Sequence, residues 1–88
     1  MSLERWQNFS KDEQLKHIAS EVKRASLYEE ENPELKNEIL ERGLSFIDLS
    51  LEDGKWKDNV RLLFLLRNLL AESYVGKRVD LESVYALF

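Results

Sequence analysis

The scarcity of turn-forming residues constrains this chain more than any other feature. Its 88 residues include only three glycines and one proline, whereas folds rich in strands need many such residues in their turns. Leucine, glutamate and lysine, which favour helices, are abundant. At 43% hydrophobic residues the chain is too apolar for a disordered tail. We therefore predict a folded all-α protein, and its length fits a single domain over residues 1–88.

Local signals at helix ends predict the first two helices. Ser10 and Glu13 have the spacing of a capping box, in which each side chain accepts a hydrogen bond from the backbone of the other. The first helix is therefore expected to begin at Ser10 and to run to about Glu31. Pro33 ends that helix and begins the second one. The second helix is expected to end near Gly54, which can adopt the left-handed conformation that terminates helices.

Two further helices are predicted in the second half of the chain. Asp58 is the expected N-cap of a third long helix that reaches about Tyr74, and a short helix follows Asp80. Before the first helix, Trp6 and Phe9 are expected to cover one end of the core. The fold prediction is an up-and-down helical bundle of three long helices plus a short C-terminal helix.

The third predicted helix is unusually apolar. Seven of its side chains, six of them leucines, fall in one sector about 180° wide, whereas a helix on one side of a small bundle needs a sector nearer 100°. A second apolar group lies beyond Arg67 and consists of Val60, Phe64, Ala71 and Val75. This helix is therefore either the central one, packed on two sides, or it faces a partner chain.

A partner chain would cover apolar surface that a small bundle leaves exposed. Soluble monomers rarely expose contiguous apolar patches larger than a few hundred Å², and two-fold pairing is the commonest way to bury one. We therefore predict a homodimer, with Leu62, Leu66 and Leu69 as candidate interface residues. An unidentified protein partner remains open.

The sequence offers no catalytic, cofactor-binding or metal-binding site. The chain has no cysteine and one histidine, which rules out thiolate chemistry and a His-rich metal site. Glu13, His17 and Glu21 would stack along one side of a helix, but His17 is expected to point towards solvent. No glycine-rich loop precedes any helix, as nucleotide-binding motifs require.

A ribonuclease of the HEPN type is one alternative. Arg67 and Asn68 look like the first half of that family's motif, in which an arginine and a polar residue are followed a few positions later by a histidine. No histidine follows here. Without this proton-transfer group we predict no RNA cleavage.

Nucleic-acid binding is a further alternative. Lys55, Lys57 and Arg61 precede or begin the third helix, and Lys77 and Arg78 follow it. The two clusters are about 20 residues, or ~30 Å, apart along the helix, and the net charge is −4. These features argue against a nucleic-acid binder.

Several stretches resemble a family of short uncharacterised bacterial helical proteins. They are Trp6, Gln14, 18–25, 42–53 and 85–88. The resemblance covers most of the chain and implies no known activity, ligand or cofactor. It draws attention to Glu21, Arg24 and Asp48 as members of one internal polar network, in which Asp48 is expected to pair with Arg24, Arg61 or Arg67.

Together these features favour a small interaction or self-association protein over an unrecognised enzyme. No apolar stretch approaches the ~20 residues that span a bilayer. The N-terminus also lacks the basic start and apolar run of a signal peptide. We expect no membrane association and a cytoplasmic location.

Overall fold

The computed structural model describes residues 1–88 and contains helices but no strands. The helices are α1 (Leu3–Gln7), α2 (Lys11–Tyr28), α3 (Pro33–Glu52), α4 (Val60–Tyr74) and α5 (Leu81–Tyr85), with a 3-10 turn at Gly54–Trp56. Three of the helices are long, and the all-α prediction is confirmed.

The predicted capping box begins α2. Ser10 Oγ accepts a hydrogen bond from the Glu13 backbone at 3.1 Å, and Glu13 Oε1 accepts one from the Ser10 backbone at 3.0 Å. The bond from the Ser10 backbone lowers the pKa of Glu13. α2 ends at Tyr28, three residues earlier than predicted. The three glutamates that follow place negative charge at the C-terminal end of the helix, where its dipole disfavours it.

The break between α2 and α3 lies where it was predicted. Pro33 is the first residue of α3, and Asn32 Oδ1 accepts a hydrogen bond from the Leu35 backbone at 3.1 Å. α3 ends at Glu52, close to the predicted end, but Gly54 does not adopt the expected positive φ. Asp53 Oδ1 instead accepts a hydrogen bond from the backbone N–H two residues later at 3.1 Å, which directs the chain into the 3-10 turn.

The boundaries of α4 and α5 lie close to those predicted. Asn59 rather than Asp58 is the N-cap of α4, and its side chain makes no capping bond. α4 ends at Tyr74, and Gly76 follows with a φ of 93°, the left-handed conformation common after helices. Asp80 caps α5 by accepting hydrogen bonds from two backbone N–H groups of its first turn.

α1 was not predicted. Ser2 Oγ caps it by accepting a hydrogen bond from the Arg5 backbone at 3.3 Å. The helix has only five residues, and Trp6 is the only one of them that is buried, so no repeating pattern reveals it. α1 packs against α3 and brings Trp6 into the core.

The core lies among α2, α3 and α4. α3 packs against α1, α2, α4 and the 3-10 turn, whereas α4 packs mainly on α3 and α5 mainly on α2. The buried apolar side chains form one cluster: Trp6, Ile18, Val22, Ala25, Ile39, Leu40, Ile47, Trp56, Leu63, Leu66, Leu70, Leu81 and Val84. α3 rather than α4 is therefore the helix packed on two sides.

Candidate interaction surface

α4 buries one line of side chains. Leu63, Leu66, Leu70 and Ser73 recur every three or four residues, as one face of a helix requires, and all four are buried. Because α4 packs mainly on α3, this single line of side chains accounts for most of the packing of α4 against the rest of the protein. The remaining apolar side chains of α4 lie on its flanks or point outwards.

The opposite face of α4 carries a central polar line, Arg61, Asn68 and Glu72, with exposed apolar side chains on both sides of that line. We call it the outer face and define it as Arg61, Phe64, Leu65, Asn68, Leu69 and Glu72. Phe64 is 52% exposed and Leu65 is 48% exposed. Arg61 and Glu72 are exposed too, and neither forms an ion pair within the chain.

A groove between α4 and α5 extends the outer face. Leu69 lines it from α4, while Val79, Val84 and Leu87 line it from the C-terminal segment. Val84 is buried in the core and Leu87 is exposed. The other residues that line the groove are Glu72, Arg78, Asp80 and Ser83, so the groove is half apolar and half polar where it reaches the last residues of the chain.

The three candidate interface leucines have different environments. Leu66 is 1% exposed and belongs to the core, so a partner cannot contact it while the domain stays folded. Leu62 and Leu69 are partly buried and pack against the core from the rim of the outer face. Leu65, which was not among the candidates, is the leucine of α4 that is most exposed.

Of the predicted polar network, Glu21 and Arg24 lie together. The Glu21 side chain is mostly buried, and its carboxylate lies 3.2 Å from Arg24 Nη1 and 3.8 Å from Arg42 Nη1. Both arginines are half-exposed. Arg42, which was not considered as a partner, therefore completes a charged cluster where α2 and α3 meet.

Asp48 is separate from this cluster. Its side chain is 53% exposed and accepts a hydrogen bond from Arg67 Nε at 2.8 Å, joining α3 to α4 at the surface. Arg67 is one of the three arginines that the sequence analysis gave as possible partners of Asp48. The hydrogen bond to Asp48 raises the pKa of Arg67. The expected internal position of Asp48 is wrong, because Asp48 lies at the exposed edge of the contact between α3 and α4.

A buried polar cluster that the sequence analysis missed joins α1, α2, α3 and the 3-10 turn. Gln14 is fully buried at its centre. Its Nε2 donates to Asp53 Oδ2 at 2.9 Å and to the Trp6 carbonyl at 3.0 Å. Trp56 Nε1 donates to Gln14 Oε1 at 2.6 Å, and Trp6 Nε1 donates to Ser50 Oγ at 2.9 Å. Gln14 precedes Ile18 by one helical turn, so a polar residue on the core side of the helix was the available signal.

Asp53 stays charged inside this cluster. Burial alone would raise its pKa, but hydrogen bonds from Gln14 and Lys55 outweigh burial and hold the pKa below the ordinary value of 3.8. Lys55 Nζ lies 2.9 Å from Asp53 Oδ2 and also donates to the Gln7 carbonyl at 2.5 Å. The cluster therefore ties the N-terminal segment to the end of α3.

No protein-family model matches this chain, and no curated protein or solved structure does either. The resemblance to short bacterial helical proteins stays a prediction. Inference about function therefore rests on the geometry of the chain itself. None of the helices combines the length and apolar character that crossing a membrane requires.

The residues considered for catalysis or metal binding are placed as follows. His17 is half-buried, with its ring centroid 4.7 Å from that of Phe9 and 6.1 Å from that of Phe46. His17 is thus less exposed than expected, because these rings come from other segments and cover part of it. Arg67 is engaged by Asp48. No group of three or more His, Asp or Glu side chains is placed to hold a metal ion.

Proposed function

We propose that this protein is a self-association module that forms a two-fold homodimer through the outer face of α4. The observation that carries the proposal is the half-exposure of two consecutive apolar residues, Phe64 and Leu65, in the middle of a helix whose other side is buried. Leu69, on the far side of Asn68 from Phe64, and the exposed Leu87 line the groove beside them. Exposed apolar surfaces on soluble proteins mark interaction sites, and a two-fold dimer is the commonest closed assembly.

The size of this surface predicts a weak dimer. The outer face spans about three helical turns, or ~16 Å. A standard interface buries about 800 Å² on each partner, which is more than one face of this length supplies. We therefore expect a reversible dimer with a dissociation constant of roughly 1–100 μM.

Contacts at the helix ends support the predicted up-and-down order of the bundle. Lys11, at the start of α2, donates a hydrogen bond to Asn59, which precedes α4. Lys36, near the start of α3, donates to the Ser73 carbonyl near the end of α4 at 3.2 Å. α2 and α4 therefore begin at one end and α3 at the other. The five-residue α5 would be the fourth helix of the bundle, but it is too short to cover the outer face.

Paired substitutions test the proposal. Leu65→Lys should give a folded protein of wild-type helicity that stays monomeric at all concentrations. Leu66→Lys places a charge in the core and should unfold the chain. Leu27→Lys is the matched control, because Leu27 is exposed on α2 and lies outside the outer face. Self-association of Leu65→Lys equal to that of the wild type would refute the proposal.

The alternative functions have less support. Arg67, the first residue of the possible ribonuclease motif, is held by Asp48, and Lys55 of the basic cluster is held by Asp53 and Gln7. A cytoplasmic location stays part of the proposal, on the basis that the chain contains no cysteine.

A further inference from the structure

We infer that the two copies pair with their α4 helices antiparallel, so that Arg61 of each copy lies opposite Glu72 of the other. This inference rests on the proposed self-association. It adds the relative direction of the two α4 helices and the residues that face one another across the contact. Neither residue has an ion-pair partner within the chain.

The spacing of these two charges suits a two-fold axis. Arg61 and Glu72 are eleven residues apart, which is about three helical turns and ~16 Å, so they lie nearly on one line along the helix. A two-fold axis perpendicular to α4, passing between positions 66 and 67, brings each Arg61 opposite a Glu72. Both pairs form at once. Parallel pairing would instead place each charge opposite its own kind, which is unfavourable.

The same axis brings the apolar residues together. Leu65 lies about 5 Å along the helix from its counterpart in the second copy. Phe64 and Leu69 lie on opposite flanks of the outer face, and each is about 7–8 Å along the helix from its own counterpart. Asn68 and the exposed apolar side chains on either side of it thus occupy the middle of the contact, and charged pairs close its two ends.

Polar residues on another side of α4 are engaged within the chain. Arg67 is paired with Asp48 of α3 at 2.8 Å, and Tyr74 donates a hydrogen bond to Glu41 of α3 at 2.6 Å. Arg61 and Glu72 are the ionisable residues of the outer face, and they are the ones without an ion-pair partner. Both charges are therefore free to pair across a two-fold axis.

Charge-reversal variants test the register by sedimentation equilibrium of the full chain. Arg61→Glu and Glu72→Arg each turn both intermolecular pairs into like-charge contacts, and each should raise the dissociation constant at least tenfold. The double variant Arg61→Glu/Glu72→Arg exchanges the charges and should return the constant to within about threefold of the wild type. An equal mixture of the two single variants should also dimerise. Arg5→Glu, on α1, is the control for net charge.

The outcomes separate the register from the proposed function. A dimer that is insensitive to both single changes, or one that the double change does not restore, would overturn the antiparallel register and leave self-association standing. A wild-type chain that stays monomeric would overturn both. Weakening by both single changes together with restoration by the double change supports the register.

Discussion

Replacing Gln14 by leucine should destabilise the protein, although leucine has a similar volume and is more apolar. Gln14 is fully buried and makes hydrogen bonds to three different segments. Leucine leaves little cavity, so the cost comes from the hydrogen-bonding groups that lose their partner. The substitution thereby measures the buried polar cluster itself.

The magnitude follows from which groups are left unpaired. Trp56 Nε1 is buried and donates to Gln14 alone, so the substitution leaves it without an acceptor. Asp53 loses one hydrogen bond to its charged carboxylate but keeps those from Lys55. A buried unpaired group costs about 1–3 kcal/mol, and a hydrogen bond to a charged group is worth about 1.5–3 kcal/mol. We expect a total loss of about 2–4 kcal/mol in a domain whose stability is about 5–15 kcal/mol.

Urea unfolding followed by tryptophan fluorescence measures this loss. Gln7→Leu is the matched control, because Gln7 is exposed and Lys55 contacts its backbone carbonyl, which the substitution keeps. The control should stay within about 0.5 kcal/mol of the wild type. All variants are compared at one low protein concentration, since dimerisation raises apparent stability. A change below about 0.5 kcal/mol for Gln14→Leu would refute the reasoning.

Three further stability predictions follow from single side chains. Asp48→Ala should cost about 0.2–1 kcal/mol, as exposed ion pairs do, and a loss above about 2 kcal/mol in urea unfolding would contradict its surface position. Asp53→Asn should be less stable than the wild type at neutral pH. Because the folded-state pKa of Asp53 lies below 3.8, the wild-type advantage is present above that value and is lost as the pH falls through the folded-state pKa; an advantage that is unchanged by pH would contradict this. Gly43→Ala should stabilise the protein by up to about 1 kcal/mol through helix propensity. Its new Cβ would lie 3.5 Å from Leu70 and 3.6 Å from Glu21, ordinary contact distances, and thermal destabilisation would show that the fit is tighter.

Local features of the fold were predictable from the sequence. The capping box of Ser10 and Glu13 and the break at Pro33 act over three or four residues, so their effect can be worked out without knowing the tertiary structure. Asp53 shows the limit of such reasoning. Its carboxylate binds the backbone two residues later and so converts an expected left-handed glycine turn into a 3-10 turn.

Long-range features were not predictable in the same way. Three bonds of the buried polar cluster join residues that are 39, 42 and 44 positions apart, and no local pattern records such pairings. Helical periodicity showed that α4 has more apolar side chains than one face needs. It could not show that α3 occupies the centre, and so it could not separate the buried Leu66 from the exposed Leu65.

Sedimentation equilibrium of the unmodified chain between about 5 and 500 μM tests self-association without any substitution. With a dissociation constant of roughly 1–100 μM, the average mass should rise across this range towards twice the monomer mass of 10.4 kDa. Added salt should weaken the dimer, because charged pairs close the ends of the contact. A mass of 10.4 kDa at every concentration would contradict the proposal that α4 exposes its outer face for a second copy.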